Sequence, residues 1–293
     1  MSHSHPHNHH HSAKNLKAAF FLNLLFAFIE LIGGWYTNSM AILSDALHDL
    51  GDSLSLGISW YFDKLSKRDK NRDFSYGYQR FNVLGAIINS VILTTGSILI
   101  VLEAIPRLFD PIMPKTEGMI LLAVGGVLIN GIAAYRISKG HSLNERVAYL
   151  HLMEDILGWA ATLLVAIILH FRAIPVLDPI LSLLISLYVL YNVYKNIKTS
   201  INIILQVTPK EINPQKIENT ILSFEVVGAV HDCHIWTMDG EYHILSIHVV
   251  LKKNMTLEEI ADLKQQIKHK LQHQHIEHVT LEFETSNEKC EPC

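Results

Sequence analysis

The chain has few cysteines and few charged residues. These two features argue against a disulfide-stabilised protein and against a nucleic-acid-binding protein. Its 293 residues include only three cysteines, Cys233, Cys290 and Cys293, too few for a disulfide framework in a chain of this length. Charged residues make up 18%, and the net charge of −4 offers no basic surface for nucleic acid. The N-terminus has no apolar segment before a small-residue cleavage site, so we expect no signal peptide.

What the sequence does contain is long apolar runs between residues 15 and 200. Six of them reach the ~20 residues that a transmembrane helix needs. They cover residues 16–36, 40–62, 82–105, 118–137, 146–170 and 175–194, with the third stopped by Pro106. We therefore predict an all-α membrane domain of six transmembrane helices within residues 15–206.

Basic residues lie mainly on one side of these predicted spans. The loop 63–78 is dense in Lys and Arg, and the connection after the fourth span and the end of the sixth add more. Because basic loops stay in the cytoplasm, we place these loops and both termini there. The short loops and the lack of a targeting segment favour a bacterial inner (plasma) membrane.

Residues 207–286 are polar and predict a small α+β cytoplasmic domain. Asn213-Pro214 is typical of a helix start, Asp239-Gly240 of a hairpin turn, and residues 256–259 form a capping box before a second helix. The resulting order αββαβ predicts a ferredoxin-like sheet. The flanking segments are a His-rich tail at 1–14, which we expect to be disordered, and a C-terminal tail at 287–293.

Two spans carry a His and an Asp four residues apart. These pairs are His48 with Asp52 in the second span and His151 with Asp155 in the fifth. Residues i and i+4 lie on one helix face, so two facing helices would supply two imidazoles and two carboxylates. That donor set suits tetrahedral Zn²⁺, and ionisable groups inside a membrane are costly enough to indicate function.

The second span also carries Asp45 and Asp49 on the same stripe. Spacing alone leaves open whether Asp45 and Asp49 or His48 and Asp52 form the ligand pair. The alternative to an ion site is a polar helix-packing seam or a water-filled vestibule. Burial of several carboxylates without a cation is unfavourable, which favours the ion.

The other spans hold few polar side chains. Asp178 is predicted to be an interfacial cap at the start of the sixth span. The side chains predicted to pair between helices are Glu30, Asn89, Glu103 and Asn130.

Three segments, residues 38–52, 74–80 and 231–236, resemble the cation diffusion facilitator family. The resemblance extends over essentially the whole chain and is closest to the zinc-transporting branch. It implies a homodimer that exchanges metal for protons. The transport-site ligands that it implies are His48, Asp52, His151 and Asp155, with Asp45 and Asp49 beside the site or on its access path.

The resemblance also implies metal ligands in the cytoplasmic domain, where zinc would be regulatory or structural. The positions that match are His234, His248 and Glu284, with Cys290 and Cys293 completing a site and His231 as a further candidate. A CxxC pair in a reducing compartment is typical of a zinc chelate or a redox pair. Since no redox-type βαβ pattern surrounds it, we predict metal binding.

The N-terminal tail is rich in histidine, and we predict that it captures cytoplasmic metal weakly. A tail without a role, a cloning remnant and adventitious binding are the alternatives. Its histidines are His3, His5, His7, His9, His10 and His11.

Metal and protons compete for the same imidazole nitrogens, because an unperturbed His titrates near pH ~6.5. We therefore predict secondary-active export of Zn²⁺, with Cd²⁺ and Co²⁺ as further substrates, in exchange for protons. A membrane metalloenzyme would need an open coordination position and a general base, typically HExxH, and the sequence contains no such motif. A membrane-anchored metal sensor would not need His and Asp in the middle of two spans.

Overall fold

The computed structural model describes the backbone of residues 9–66, 70–137 and 143–285. These residues form a series of long helices followed by a small mixed α/β region. The elements are α1 His9–Thr37, α2 Met40–Ser66, α3 Phe81–Phe109, α4 Thr116–Ile137, α5 Leu143–Phe171, α6 Leu177–Ile204, α7 Pro214–Leu222, β1 Val227–Thr237, β2 His243–Leu251, α8 Leu257–Gln272 and β3 His278–Thr285.

Helices α1 to α6 correspond to the six predicted spans. Among the described residues, α3, the stretches 116–135 of α4 and 152–171 of α5, and α6 are long and apolar enough to cross a bilayer. Residues 24–37 of α1 form a shorter apolar stretch, and the acids of α2 lower its hydropathy. The structure therefore contains four clear apolar spans, and the count of six stays a prediction.

Two helix ends differ from the sequence prediction. Helix α3 does not stop at Pro106 but continues to Phe109, and the N–H of Asp110 donates to the Pro106 carbonyl at 3.0 Å. Proline removes only its own N–H from the helix, so a last turn still forms after it. Helix α1 begins at His9, inside the stretch 1–14 predicted to be a disordered tail.

Asp178 in the first turn of α6 holds the start of α2. Its carboxylate accepts hydrogen bonds from the Ser39 hydroxyl at 2.5 Å and from the Met40 N–H at 2.7 Å. A carboxylate at a helix N-terminus binds free N–H groups and stabilises the positive end of the helix dipole. Asp178 is thus a cap, as predicted, but it caps α2. Farther along, the Ser44 and Ser186 hydroxyls meet at 2.8 Å and again join α2 to α6.

The polar side chains predicted to pair between helices have different outcomes. Asn89 does join two helices, since its amide donates to the Ser55 hydroxyl of α2 at 2.5 Å. Glu103 pairs with Arg107 within α3 at 3.0 Å, and Asn130 donates to a carbonyl one turn earlier in α4. These two side chains therefore make bonds within their own helices.

The C-terminal elements follow the predicted αββαβ order. Strand β2 pairs antiparallel with β1 and parallel with β3. Leu245, Ile247 and Val249 of β2 are buried in a core shared with residues of α7 and α8, while Ser246, His248 and Val250 between and after them are half-buried. One sheet face is therefore filled by the helices and the other carries polar groups. The ferredoxin-like name for this arrangement stays a prediction.

The predicted helix starts in this region are confirmed by their capping contacts. The Asn213 side chain accepts from the Lys216 N–H at the start of α7, with Pro214 at the first helical position. Thr256 and Glu259 form both halves of a capping box at the start of α8.

The chain divides into two compact units. One comprises Met1–Leu65 and Gly85–Ile197, and the other comprises Ser66–Leu84 and Lys198–Cys293. The connection between α2 and α3 thus belongs with the C-terminal elements, where the Tyr76 ring meets the edge of the His278 ring of β3 at 5.5 Å between centroids.

Helices α4 and α5 pack closely where Gly126 faces Trp159. A Cβ atom at Gly126 would overlap the indole ring of Trp159, which is almost fully buried. At the preceding residue, Gly125, a Cβ would meet nothing within 4 Å. Substitution of Gly126 therefore tests the steric requirement of this contact. Substitution of Gly125 is the control for the general effect of glycine on helix stability.

We predict that Gly126→Ala destabilises the helical unit and Gly125→Ala does not. Overpacking a filled contact costs about 1–3 kcal/mol, whereas the gain of helix propensity, about 1 kcal/mol, is common to both variants. Thermal unfolding of the purified protein in detergent measures the difference. Equal midpoints for the two variants would contradict the described packing.

Candidate metal centres

Helix α2 carries a compact group of ionisable side chains. The Nε2 atom of His48 lies 3.6 Å from the Oδ2 atom of Asp52, so the predicted i, i+4 pair is formed. Asp45 and Asp49 are buried, with 7% and 6% of their surface exposed. His48, Asp49 and Asp52 can each bring one ligand atom within 4.8 Å of the others. The geometry of α2 therefore suits a metal ion. Which pair binds it, Asp45 with Asp49 or His48 with Asp52, depends on the ligands that the other helices contribute.

Helix α5 brings Asp155 to the same place. A cavity of about 250 Å³ is lined by Asp45 and His48 of α2, Asp155 and Gly158 of α5, and apolar residues of α6. Asp45 interacts electrostatically with both Asp155 and Asp52. The side chain of His151, one turn before Asp155, lies outside the described residues. Three of the four predicted transport ligands therefore lie close together: His48 and Asp155 line the cavity, and Asp52 lies beside His48.

Two residues near this cavity contact acidic side chains of other helices; the sequence did not indicate the first contact, and it predicted that the second residue pairs between helices. Tyr188 of α6 lines the cavity and forms a hydrogen bond with Glu154 of α5. Glu30 of α1, predicted to pair between helices, is fully buried and lies within hydrogen-bonding reach of Asp49. A tyrosine in an apolar span does not by itself indicate a functional residue. A glutamate in the middle of α1 does, because a buried charge in a membrane helix is unfavourable.

A second group of possible ligands lies on the open face of the C-terminal sheet. Two histidines flank Glu284: His231 Nε2 lies 2.9 Å from its Oε2, and His248 Nδ1 lies 2.5 Å from its Oε1. His231 of β1 stands directly opposite His248 of β2 in the strand register. The three residues can place their ligand atoms within 4.8 Å of one another. Two imidazoles and a carboxylate are a suitable donor set for zinc.

The charge of Glu284 is also suited to a cation. Burial acts to raise the pKa of this carboxyl, but its hydrogen bonds with His248 and His231 outweigh burial and hold the pKa below the usual value for Glu. The group is therefore an ionised acceptor at neutral pH.

His234, which the resemblance places in the cytoplasmic site, lies apart from this cluster. Its side chain is 61% exposed and its Nε2 contacts Asp232 Oδ1 at 2.9 Å. The other Asp232 oxygen lies 3.5 Å from His248 Nε2. A bulge explains the arrangement, since the strand register shifts between His231 and His234 and Asp232 has a φ of 49°. His231 thus takes the place beside His248 and Glu284.

Several predicted ligands fall outside the described side chains. They are His3, His5, His7, His9, His10 and His11 of the N-terminal segment and Cys290 and Cys293 of the C-terminal tail. Their roles stay predictions.

Comparison with known proteins places this geometry in a family. Residues 16–205 match the family described as Cation efflux transmembrane domain. Residues 209–286 match the dimer-domain family ZT_dimer, described as Cation efflux protein, cytoplasmic domain. The chain belongs to the cation efflux family. The resemblance to cation diffusion facilitators is thereby confirmed, and the C-terminal sheet is the cytoplasmic domain of this family.

Similar proteins occur in bacteria and are named as transporters. The chain is 36% identical to the cadmium, cobalt and zinc/H(+)-K(+) antiporter of Bacillus subtilis (strain 168), over 95% of this chain and 92% of that protein. It is 35% identical to the metal cation efflux system protein CzcD of Cupriavidus metallidurans, over 95% and 89%. It is 32% identical to the zinc transporter ZitB of Escherichia coli (strain K12), over 97% and 93%. These relatives extend over nearly the whole chain.

We predict that His248→Ala removes zinc from the cytoplasmic domain and that His234→Ala does not. His248 contacts Glu284 directly, whereas His234 contacts Asp232, which in turn lies 3.5 Å from His248. Loss of a ligand weakens metal binding by at least about tenfold. Zinc titration of the purified, metal-stripped protein by calorimetry counts the bound ions. Loss of one zinc ion in His234→Ala with none lost in His248→Ala would contradict the cluster described above.

Proposed function

We propose that this protein exports Zn²⁺ from the cytoplasm by exchange for protons, through a site formed by His48, Asp52, His151 and Asp155. The observation that carries the proposal is the shared cavity between α2 and α5, which combines an imidazole with carboxylates from both helices. Family membership supports cation export, and the names of the bacterial relatives support zinc as the cargo.

The chemistry of this donor set supplies the coupling to protons. Zinc binds only when the imidazoles are neutral and the carboxylates are ionised. Protons bind the same nitrogen and oxygen atoms and therefore compete with the metal for them. A site that opens to neutral cytoplasm loads zinc, and the same site open to a more acidic compartment releases it. Rocking of helices around a fixed midplane site would provide this alternating access.

Metal selectivity follows from the same donors. Two nitrogens and two oxygens in a tetrahedral arrangement suit Zn²⁺ and also accept Cd²⁺ and Co²⁺, whereas Mn²⁺ prefers more oxygen ligands. Cadmium and cobalt also appear in the printed name of the Bacillus subtilis relative. We therefore propose zinc as the main substrate, with cadmium and cobalt as further ones.

The cytoplasmic cluster supports a regulatory role for a second zinc ion. His231, His248 and Glu284 would hold the ion on the open face of the sheet. We propose that this domain pairs with a second copy of the chain, in line with the dimer-domain family it matches. Bacterial relatives favour the inner membrane, with both termini in the cytoplasm as the basic loops predict.

The same cluster favours one alternative function, a membrane-anchored metal sensor without transport. A sensor needs the cytoplasmic ligands but has no use for ionisable residues within α2 and α5. Transport measurements separate the two functions directly.

We predict that His48→Ala and Asp155→Ala each abolish zinc flux. Purified protein in liposomes would move ⁶⁵Zn²⁺ when a pH gradient is imposed, and each variant would lose a ligand of the transport site. Glu103→Gln is the matched control, because this exposed carboxylate pairs with Arg107 on α3, away from the cavity residues of α2, α5 and α6. Wild-type flux in both ligand variants would contradict the site, and absence of pH-driven flux in the wild type would support the sensor.

We predict that deletion of residues 1–11 weakens transport without abolishing it. The tail carries six histidines, and its expected effect is on the local concentration of zinc. The initial rate should fall at low zinc and recover at saturating zinc in the same liposome assay. An unchanged rate at low zinc would mean that the tail has no capture role.

A further inference from the structure

The C-terminal end of α8 carries two histidines on its outer surface. His269 lies in the last turn, and His273 is the C-cap residue, with φ −69° and ψ −7°. Because His273 keeps a helical conformation, the i, i+4 relation extends to the end of the helix and both imidazoles project from one face. Their rings meet edge to face with 4.9 Å between centroids. The fold therefore places two imidazoles side by side.

The nitrogen atoms of both rings are available to a ligand from solution. His269 and His273 are exposed. The buried face of α8 is a different one and consists of Leu263, Ile267 and Leu271. Among the described residues, neither imidazole forms a hydrogen bond or an ion pair, and their contact is with each other. Lone pairs on the two rings can therefore bind a metal without breaking an existing interaction.

The charges around the pair also allow a cation to bind. The lysine between the two histidines, Lys270, is engaged at the end of α7: its Nζ lies 4.4 Å from the centroid of the Phe224 ring and donates to the Ser223 hydroxyl at 3.3 Å. The last carbonyl groups of a helix carry partial negative charge, which stabilises a cation at its C-terminus. The end of α8 is therefore a favourable place for a positive ion.

Two imidazoles one helical turn apart can chelate a divalent ion that prefers nitrogen ligands. In tetrahedral geometry, two nitrogens at ~2.1 Å from a zinc ion lie about 3.4 Å apart. Ring centroids 4.9 Å apart are compatible with that spacing. Imidazole suits Zn²⁺, Cu²⁺ and Ni²⁺, whereas Mg²⁺ and Ca²⁺ prefer oxygen. Binding of the second imidazole is intramolecular, which raises the affinity at least about tenfold over a single histidine.

We propose that His269 and His273 form a metal site of their own, which binds Zn²⁺ through two nitrogens and leaves the remaining coordination positions to water. The groups of three possible ligands among the described residues lie elsewhere. The cluster around Glu284 is on the open face of the sheet, whereas α8 packs on the other face. With two protein ligands only, the ion exchanges readily with the cytoplasm. The chelate is thus a reversible zinc-binding point at the surface of the cytoplasmic domain.

Equilibrium dialysis of the full-length protein in detergent tests this site. Bound zinc per chain is measured by atomic absorption over a series of free zinc concentrations. His269→Gln and His273→Gln each remove one nitrogen of the pair, and His275→Gln is the control, because this exposed histidine lies outside the pair. We expect each of the first two variants to bind one zinc ion fewer per chain than the wild type at the same free zinc, and the double variant to lose no more. The control should match the wild type.

A rescue variant tests the spacing of the pair. Gln265 is exposed one turn before His269, so Gln265→His in the His273→Gln background rebuilds an i, i+4 pair and should regain the missing ion. If His273→Gln fails to fold, His269→Gln measures the same loss. His48→Ala should keep this ion, so failure of the transport site and failure of the chelate are distinguishable. Equal zinc counts in the wild type and both single variants, or no regain in the rescue variant, would overturn the inference.

Discussion

The cost of burying carboxylates in an apolar helical bundle is the constraint on which the membrane part of this protein depends. Asp45 and Asp49 are nearly fully buried in α2 and Glu30 is fully buried in α1, and each would be unfavourable in isolation. Ionisable groups in such surroundings are therefore candidates for a functional role. A cation or protons must supply the missing positive charge, which is the physical basis of the exchange proposed above.

The position of α2 follows from contacts at its ends and along its length. The Asp178 carboxylate holds the first N–H groups of α2, and the Ser44 and Asn89 contacts join α2 to α6 and α3. Polar contacts of this kind associate membrane helices, since burial of apolar surface gives no net drive in lipid. They set the rotation of α2, and that rotation decides which of its acids face the cavity.

The cytoplasmic sheet has one apolar face and one polar face. One face packs Leu245, Ile247 and Val249 against helices, which leaves the other face free for histidine and glutamate. A single bulge at Asp232 then decides which histidine of β1 meets Glu284. The arrangement of possible metal ligands in this domain thus depends on the irregularity of β1 at Asp232.

The sequence by itself determined the features that depend on short-range spacing. Apolar runs indicated the long helices, the i, i+4 spacing predicted the His48 and Asp52 contact, and capping motifs located the starts of α7 and α8. Only the tertiary structure decided the contacts between distant elements: Glu30 against Asp49, Tyr188 against Glu154, and His231 in place of His234. Helix periodicity is a property of neighbouring residues, whereas helix rotation and strand register depend on packing across the whole fold. A bulge changes that register without a clear mark in the local pattern.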